Sequence, residues 1–362
     1  MPRADADAAS PGLGRRLRAA LSWLHLWAGL SVGTLFALVS LSGTVLVFHS
    51  DLLRLRHPQL AQHAPVADAA VLAGLVERWA PQGLRSLDLP QAELPVWQGY
   101  FEDGSRALFA PEDGALLLYR TTRDDALLWL RDLHTRLLGG ETGEGILGLA
   151  GWCALGLLAT GLYLWWPKRG RLLAQLKLHA GPPVRRWLTW HRSSGVLLLP
   201  LLLLATLTGV GMIYSAGFRA ALTSAFGGSP VPAPAQAQGG DAIAWPEVLA
   251  RAERGLPAAR LSRVSVPKAG SGAVNFRVRA EGEWHPVGRS QVAIAADGRG
   301  VLQVYDATRN GLGSRASDAI YPLHIGAVGG PAMKWITALA GLLPSFLLVT
   351  GFLFWRRRRG HR

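Results

Sequence analysis

Residues 19–50 read AALSWLHLWAGLSVGTLFALVSLSGTVLVFHS, a stretch without a single Asp, Glu, Lys or Arg. A membrane helix needs only ~20 such residues. Three more windows, 145–167, 193–218 and 335–355, are equally free of charge. Four membrane spans are therefore expected. The first is too long an apolar stretch for a signal peptide, and no small-residue cleavage site follows it, so it reads as an uncleaved anchor. The composition agrees: 49% of the 362 residues are hydrophobic and only 17% charged, sparser charge than two or three soluble domains would carry. The lone cysteine, Cys153, rules out an intrachain disulfide, a zinc ribbon and a thiolate-bound iron–sulfur cluster.

The net charge of +14 first suggests nucleic acid. The position of the charge argues otherwise. Arg3, Arg15, Arg16 and Arg18 precede the first span. Lys168, Arg169, Arg171, Lys177, Arg185 and Arg186 lie between the second and third. Arg356 to Arg359 and Arg362 follow the fourth. These short segments hold 15 of the 38 basic residues and only Asp5 and Asp7 as acids, so the positive-inside rule puts them and both termini in the cytoplasm. Many of the 14 tryptophans sit at span ends, as interfacial anchors do.

The two long segments then lie outside. Each reads as a small α+β unit. In the first, 67–80 is an amphipathic helix, followed by strands near 95–101, 106–110 and 115–120. In the second, 245–254 is helical, with strands near 260–266, 273–280, 289–296 and 300–305. Residues 227–240, rich in Pro, Gly, Ala and Gln, read as a linker.

The chain also repeats itself. His25 is followed by Gly29, Ser42 and Gly43; His191 is followed at the same offsets by Gly195, Thr208 and Gly209. His134 leads to Gly139, Thr160-Gly161 and Trp165; His324 leads likewise to Gly329, Thr350-Gly351 and Trp355. Two tandem copies of helix, outer unit, helix are expected, related by a pseudo-two-fold axis along the membrane normal. The expected division is a cytoplasmic N-terminus (1–18), span 1 (19–50), outer domain 1 (51–125), a face helix with span 2 (126–167), a cytoplasmic loop (168–186), span 3 (187–218), outer domain 2 (219–320), a face segment with span 4 (321–355), and a cytoplasmic tail (356–362).

The axis pairs like with like: His25 with His191 at the inner face, and His134 with His324 at the outer. Two facing imidazoles can hold a haem iron axially, so one bis-histidine haem b is expected near each face. Gly29 and Gly195 would clear room for the inner ring, and Gly43 and Gly209 for the outer, although glycines also serve close helix packing. Arg192 and Arg136 could neutralise haem propionates, but a basic residue near a membrane face is common. His49 has Ser215 as its repeat counterpart, hence no symmetric partner. It reads as interfacial, or as a lower-ranked outer ligand. His57, His63, His179, His285 and His361 read as surface residues, and Cys153 as packing. Nucleotide, flavin, hydrolase and zinc-protease motifs do not occur in the sequence.

Leu24–Gly29 (LHLWAG), Asp132–Gly139 (DLHTRLLG), Thr160–Pro167 (TGLYLWWP), Trp190–Gly195 (WHRSSG) and Pro322-Leu323-His324 stand in an order that resembles the PepSY-associated transmembrane helix family, over residues 15–358. The resemblance implies PepSY-like outer domains, a fold also found in protease propeptides. It further implies a bacterial inner-membrane protein with these domains in the periplasm, and di-haem reductases that pass electrons across the membrane to a ferric siderophore, with His25, His191, His134 and His324 as ligands. Without a nucleotide or flavin motif in the chain, the electrons would come from quinol or a cytoplasmic reductase. The competing expectation is a non-redox, membrane-anchored PepSY protein that binds or regulates a periplasmic peptidase or ligand.

Overall fold

A computed structural model describes residues 12–167, 172–239 and 242–360. Arg3, Lys168, Arg169, Arg171 and Arg362, used above for orientation, lie outside the described residues, as does Gly240 at the end of the expected linker. In chain order the helices are α1 (Leu13–Leu46), α2 (His49–Arg56), α3 (Ala69–Trp79), α4 (Ala126–Arg136), α5 (Gly140–Trp165) and α6 (Leu172–Gln175). They continue with α7 (Pro183–Leu197), α8 (Leu199–Ile213), α9 (Ser215–Phe226), α10 (Trp245–Gly255), α11 (Leu312–His324) and α12 (Gly330–Arg359).

Among the described residues, α1, α5 and α12 are each long and apolar enough to cross a membrane. The expected third span is different: α7 and α8 are long and apolar enough only together, as a pair bent by 63°, the geometry of a broken span or of a re-entrant loop. Pro200 supplies the cause. It sits in the first turn of α8, where a proline ring and its missing N–H cannot continue α7. The first span also stops short of its expected end. After Leu46 the chain turns at Val47 and Phe48, and His49 opens α2 instead of extending α1.

Outside the bundle stands a β-sheet: β1 (Leu84–Asp88), β2 (Trp97–Phe101), β3 (Arg106–Phe109), β4 (Leu116–Arg120), β5 (Arg260–Ser265), β6 (Ala273–Arg279), β7 (Ser290–Ala295) and β8 (Val301–Tyr305). Strand β1 is not foreseen in the sequence pattern, because a bulge between Leu84 and Ser86 breaks its alternation. It is also the strand that matters most. All eight strands form one antiparallel sheet in the order β4-β3-β2-β1-β5-β6-β7-β8. The two outer units expected as separate domains are joined at the β1–β5 ladder, where Leu87 faces Val264 and Asp88 faces Arg263.

One core serves both halves. Leu72, Leu75 and Trp79 of α3, with Val248 and Leu249 of α10, pack on the sheet face formed by Leu87, Val264, Phe276 and Val292. Strand periodicity puts these apolar residues on one side. Asp68 caps α3 by accepting the Ala70 and Val71 N–H groups, an arrangement worth about 1 kcal/mol. The opposite sheet face meets the elements nearest the bundle. Leu108 and Leu118 pack there with Leu53 of α2 and Leu127 of α4. A buried Arg120–Asp125 pair, 2.8 and 2.9 Å, fastens β4 to the start of α4.

Candidate functional site: paired histidines and a row of arginines

The bundle brings the four singled-out histidines together in pairs. The rings of His25 (α1) and His191 (α7) lie 6.2 Å apart, nearly perpendicular. Those of His134 (α4) and His324 (α11) lie 6.1 Å apart. Each Nδ1 has a partner on a neighbouring helix. His25 reaches Thr160 Oγ1 at 3.0 Å, and His324 reaches Thr208 Oγ1 at 3.0 Å. His191 reaches the Leu347 carbonyl at 2.9 Å, and His134 the Val39 carbonyl at 2.8 Å, with Ser42 Oγ at 3.1 Å. Hydrogen bonds from Nδ1 to a carbonyl place a proton there and fix the tautomer.

The glycines divide differently from expectation. A Cβ on Gly43 would lie 2.7 Å from His134 Cε1, and one on Gly209 would lie 3.3 Å from His324 Cε1. Gly29, by contrast, has nothing within 4 Å of that position, and Gly195 meets only Leu347. At the inner pair the close glycines are Gly161 against His25 and Gly351 against His191, each at 3.2 Å. Both had stood in the repeat as Thr-Gly pairs without a role. The signal was there: each follows the threonine whose hydroxyl faces the histidine. Arg136 faces Glu144, 3.6 Å away, and Arg192 donates to Gln175 Oε1 at 2.8 Å.

The second feature has no counterpart in the sequence reading. Directly opposed residues on neighbouring strands share a sheet face. Along the side facing the bundle, Arg120 opposes Arg106, Arg106 opposes Tyr100, Asp88 opposes Arg263, Arg263 opposes Arg277 and Arg277 opposes Gln291. A polar row thus crosses the sheet, and it is mostly arginine. The guanidinium groups of Arg106 and Arg263 cover the Tyr100 ring at 4.1 and 4.4 Å. Asp88 binds Arg263 through both carboxylate oxygens and accepts the Tyr100 hydroxyl at 2.6 Å. Burial pushes Arg106 down to about 10, and burial with Arg289 and Arg263 nearby lowers Arg277.

His285, read above as a surface residue, is buried and closes this row. Its ring stacks on Tyr321 at 5.0 Å, and its Nδ1 accepts the Val287 N–H at 3.2 Å. Burial first, then Arg289, Arg277, Arg263 and Arg279, pushes its pKa down to about 3 from 6.5. The unfolded chain therefore takes up this proton before the folded one. The stability tied to neutral His285 is complete above about pH 6.5 and is lost as the pH falls from there towards about 3. His285→Phe keeps a ring on Tyr321 and removes the titration. Its thermal midpoint should fall less steeply between pH 6.5 and 4 than that of the wild type, by tryptophan fluorescence in detergent. Equal slopes would refute this environment for His285.

A bundle of membrane-crossing helices carrying a β-sheet domain defines the class: a multi-span α-helical membrane protein, consistent with an inner-membrane protein with periplasmic loops. The chain belongs to the PepSY-associated TM region family, whose model matches residues 22–358. No curated protein matches the chain.

These findings correct the redox expectation. Among the described residues no group of three or more His, Cys, Asp or Glu side chains lies where it could hold a metal ion. Each histidine pair meets ring to ring with no such third group, and His49 joins neither pair as a metal-holding set. The family is described by its PepSY-associated membrane region, a description that names no haem or redox chemistry. Two haem b groups, ferric-siderophore reduction, and quinol or a cytoplasmic reductase as electron donor are withdrawn on that basis. The assignment of an enzyme goes with them.

Proposed function

We propose that the chain is a membrane-anchored binding and regulatory protein that engages a periplasmic peptidase, or a ligand of one, through its PepSY-type sheet. In this reading four spans form two tandem pseudo-symmetric repeats, with both termini cytoplasmic and the sheet periplasmic. The division proposed from the sequence is kept, with outer domains 51–125 and 219–320 contributing half a sheet each. The four histidines pair the first repeat with the second, while Gly43 and Gly161, and likewise Gly209 and Gly351, let the helices of each repeat close around its own histidines.

The observation that carries the proposal is the open sheet edge. Strand β8 pairs only with β7, and its Val301, Leu302 and Val304 side chains are exposed. An apolar strand with one unpaired edge is a liability unless something covers it. An extended segment of a partner polypeptide can do so by adding a strand. A peptidase segment fits because PepSY-like domains also occur in protease propeptides.

A photoreactive amino acid at Leu302 should give a discrete adduct with a periplasmic peptidase in intact cells, and one at exposed Glu253 on α10 should not. Leu302→Lys with Val304→Lys should abolish the adduct formed from Val301. Adducts of equal intensity from both surfaces, or none from β8, would overturn the proposal.

A further inference from the structure

We propose that the groove between α11 and the β6–β7 loop holds a zwitterionic phospholipid from the leaflet on the sheet side of the bundle. Its headgroup lies between Glu281 and Arg315, and one chain follows α11 towards the membrane. The inference goes beyond the sheet-edge reading and does not depend on it.

Three observations support it. The first is room of the right kind. A cavity of about 590 Å³ lies between these two elements, within the size range of small-ligand sites. Leu312, Ala316, Ala319 and Leu323 line it from α11. Steps of four, three and four residues put them in one apolar stripe along that helix. Trp284 and the buried His285 line it from the loop.

The second is continuity with the membrane-crossing helices. Leu323 precedes His324, whose ring meets Gly209 of α8 and pairs with His134. The stripe therefore descends from the sheet to the bundle, about 16 Å at the helical rise of about 1.5 Å per residue. An acyl chain lying on it would point into the bilayer, with its headgroup at the sheet end. There Trp284 and Leu312 are 53% and 63% exposed. An open indole beside polar groups is what a lipid headgroup meets at a membrane interface.

The third is the charge of the lining. It holds three carboxylates, Glu281, Glu283 and Asp318, and two guanidinium groups, Arg289 and Arg315. Two of the carboxylates serve the fold. Glu283 accepts the backbone N–H groups of Ala280, Arg289 and Ser290, and Asp318 binds Arg219 of α9. Glu281 and Arg315 are exposed, and neither forms an ion pair among the described residues. Arg289 has Asp318 only at 3.8 Å, and its buried Nε has no hydrogen-bond partner among the described residues. A phosphodiester suits Arg315 and the free Nε of Arg289. A headgroup ammonium suits Glu281. A zwitterion supplies both charges and adds no net charge, whereas an anion would leave Glu281 unmatched.

The test uses the full chain in a neutral detergent, with soluble dihexanoyl lipids as probes. Dihexanoyl phosphatidylethanolamine should raise the thermal midpoint saturably. Dihexanoyl phosphatidylglycerol lacks the ammonium and should bind about fivefold more weakly, the worth of one exposed ion pair. Each buried methylene is worth about fourfold in affinity. Glycerophosphoethanolamine, the same headgroup without chains, should therefore bind more than about tenfold more weakly than the lipid. Ala319→Phe fills the groove and should weaken the lipid to a similar degree. Glu281→Gln should erase the preference for ethanolamine over glycerol, and Glu253→Gln on α10, across the sheet, should keep it. If Ala319→Phe fails to fold, Glu281→Gln, an exchange at an exposed position, carries the comparison. No saturable stabilisation, equal affinity for the two lipid headgroups, or a preference that Glu281→Gln retains overturns the proposal. Equal binding of the chainless headgroup assigns the groove to a soluble zwitterion and overturns the lipid. Peptidase crosslinking at β8 is read separately, so failure of one reading is distinguishable from failure of the other.

Discussion

Asp88→Ala should cost about 3–5 kcal/mol, the usual cost of removing one partner from a buried ion pair. Asp88 is only 7% exposed, and both of its carboxylate oxygens meet Arg263. The pair sits at the β1–β5 ladder, where the two halves of the sheet join. Without the carboxylate, Arg263 would face Arg277 across the neighbouring ladder with no counter-charge of its own. Tyr100 would lose its acceptor in the same step. The single change therefore combines an uncompensated buried cation with a like-charge pair, two costs of the same sign. Asp88→Ala combined with Arg263→Leu removes both charges and should recover most of the loss, since an absent pair costs far less than a broken one. Denaturation midpoints of the two single variants and the double variant in the same detergent give the coupling. A loss below about 1 kcal/mol for Asp88→Ala, in the range of an exposed pair, would refute this account of the seam.

How much of this arrangement could be read from the sequence depends on the range of the interaction that made it. The membrane-crossing helices were legible, because a bilayer excludes charge and leaves charge-free windows that need no tertiary information. The break at Pro200 was equally local and could have been read from one proline in a helical run. Strands β2 to β8 alternate well enough to be placed within a few residues. Strand β1 does not, because its bulge shifts Leu84 and Leu87 out of simple alternation. With β1 missing, nothing in the sequence announced that the two outer units share a sheet. That junction is a pairing of residues about 175 positions apart, beyond any local pattern.

The site divides in the same way. The repeat picked out His25, His134, His191 and His324, and the bundle pairs them across its elements. Gly29 and Gly195, expected at the inner pair, share α1 and α7 with His25 and His191. The glycines against the inner pair lie on other helices, Gly161 on α5 and Gly351 on α12, where phase along α1 or α7 carries no information. The metal expectation rested on the pairing, the recurring glycines and the family resemblance, whereas no group of three or more His, Cys, Asp or Glu side chains that could hold a metal forms among the described residues. The arginine row was present as strand periodicity, with Asn275, Arg277 and Arg279 at alternate positions of β6. Its meaning appears only when the register sets Arg263 beside Arg277 and Asp88.

Gly43→Leu should destabilise the protein strongly, and the graded series around it shows why. A Cβ at this position would lie 2.7 Å from His134 Cε1 and 3.3 Å from its Nδ1. The ring has little freedom to withdraw, because its Nδ1 is held by the Val39 carbonyl and sits beside the Ser42 hydroxyl. Its far side is occupied by His324. Alanine at 43 therefore pushes α4 away from α1 or breaks those contacts, an overpacking cost of about 1–3 kcal/mol. Leucine adds volume in the same direction and should exceed it. Gly209→Ala, with its nearest histidine atom at 3.3 Å, should cost less than Gly43→Ala. Gly29→Ala has nothing within 4 Å of the new carbon and should be neutral or slightly stabilising, since alanine is the better helix former. Thermal midpoints by fluorescence-detected size exclusion would rank the four variants. The close approach at His134 is supported by the order Gly43→Leu, Gly43→Ala, Gly209→Ala, Gly29→Ala from most to least destabilised. If Gly29→Ala fell as far as Gly43→Ala, crowding by His134 would not be what sets the cost, and the assignment of Gly43 as the close-approach glycine would fail.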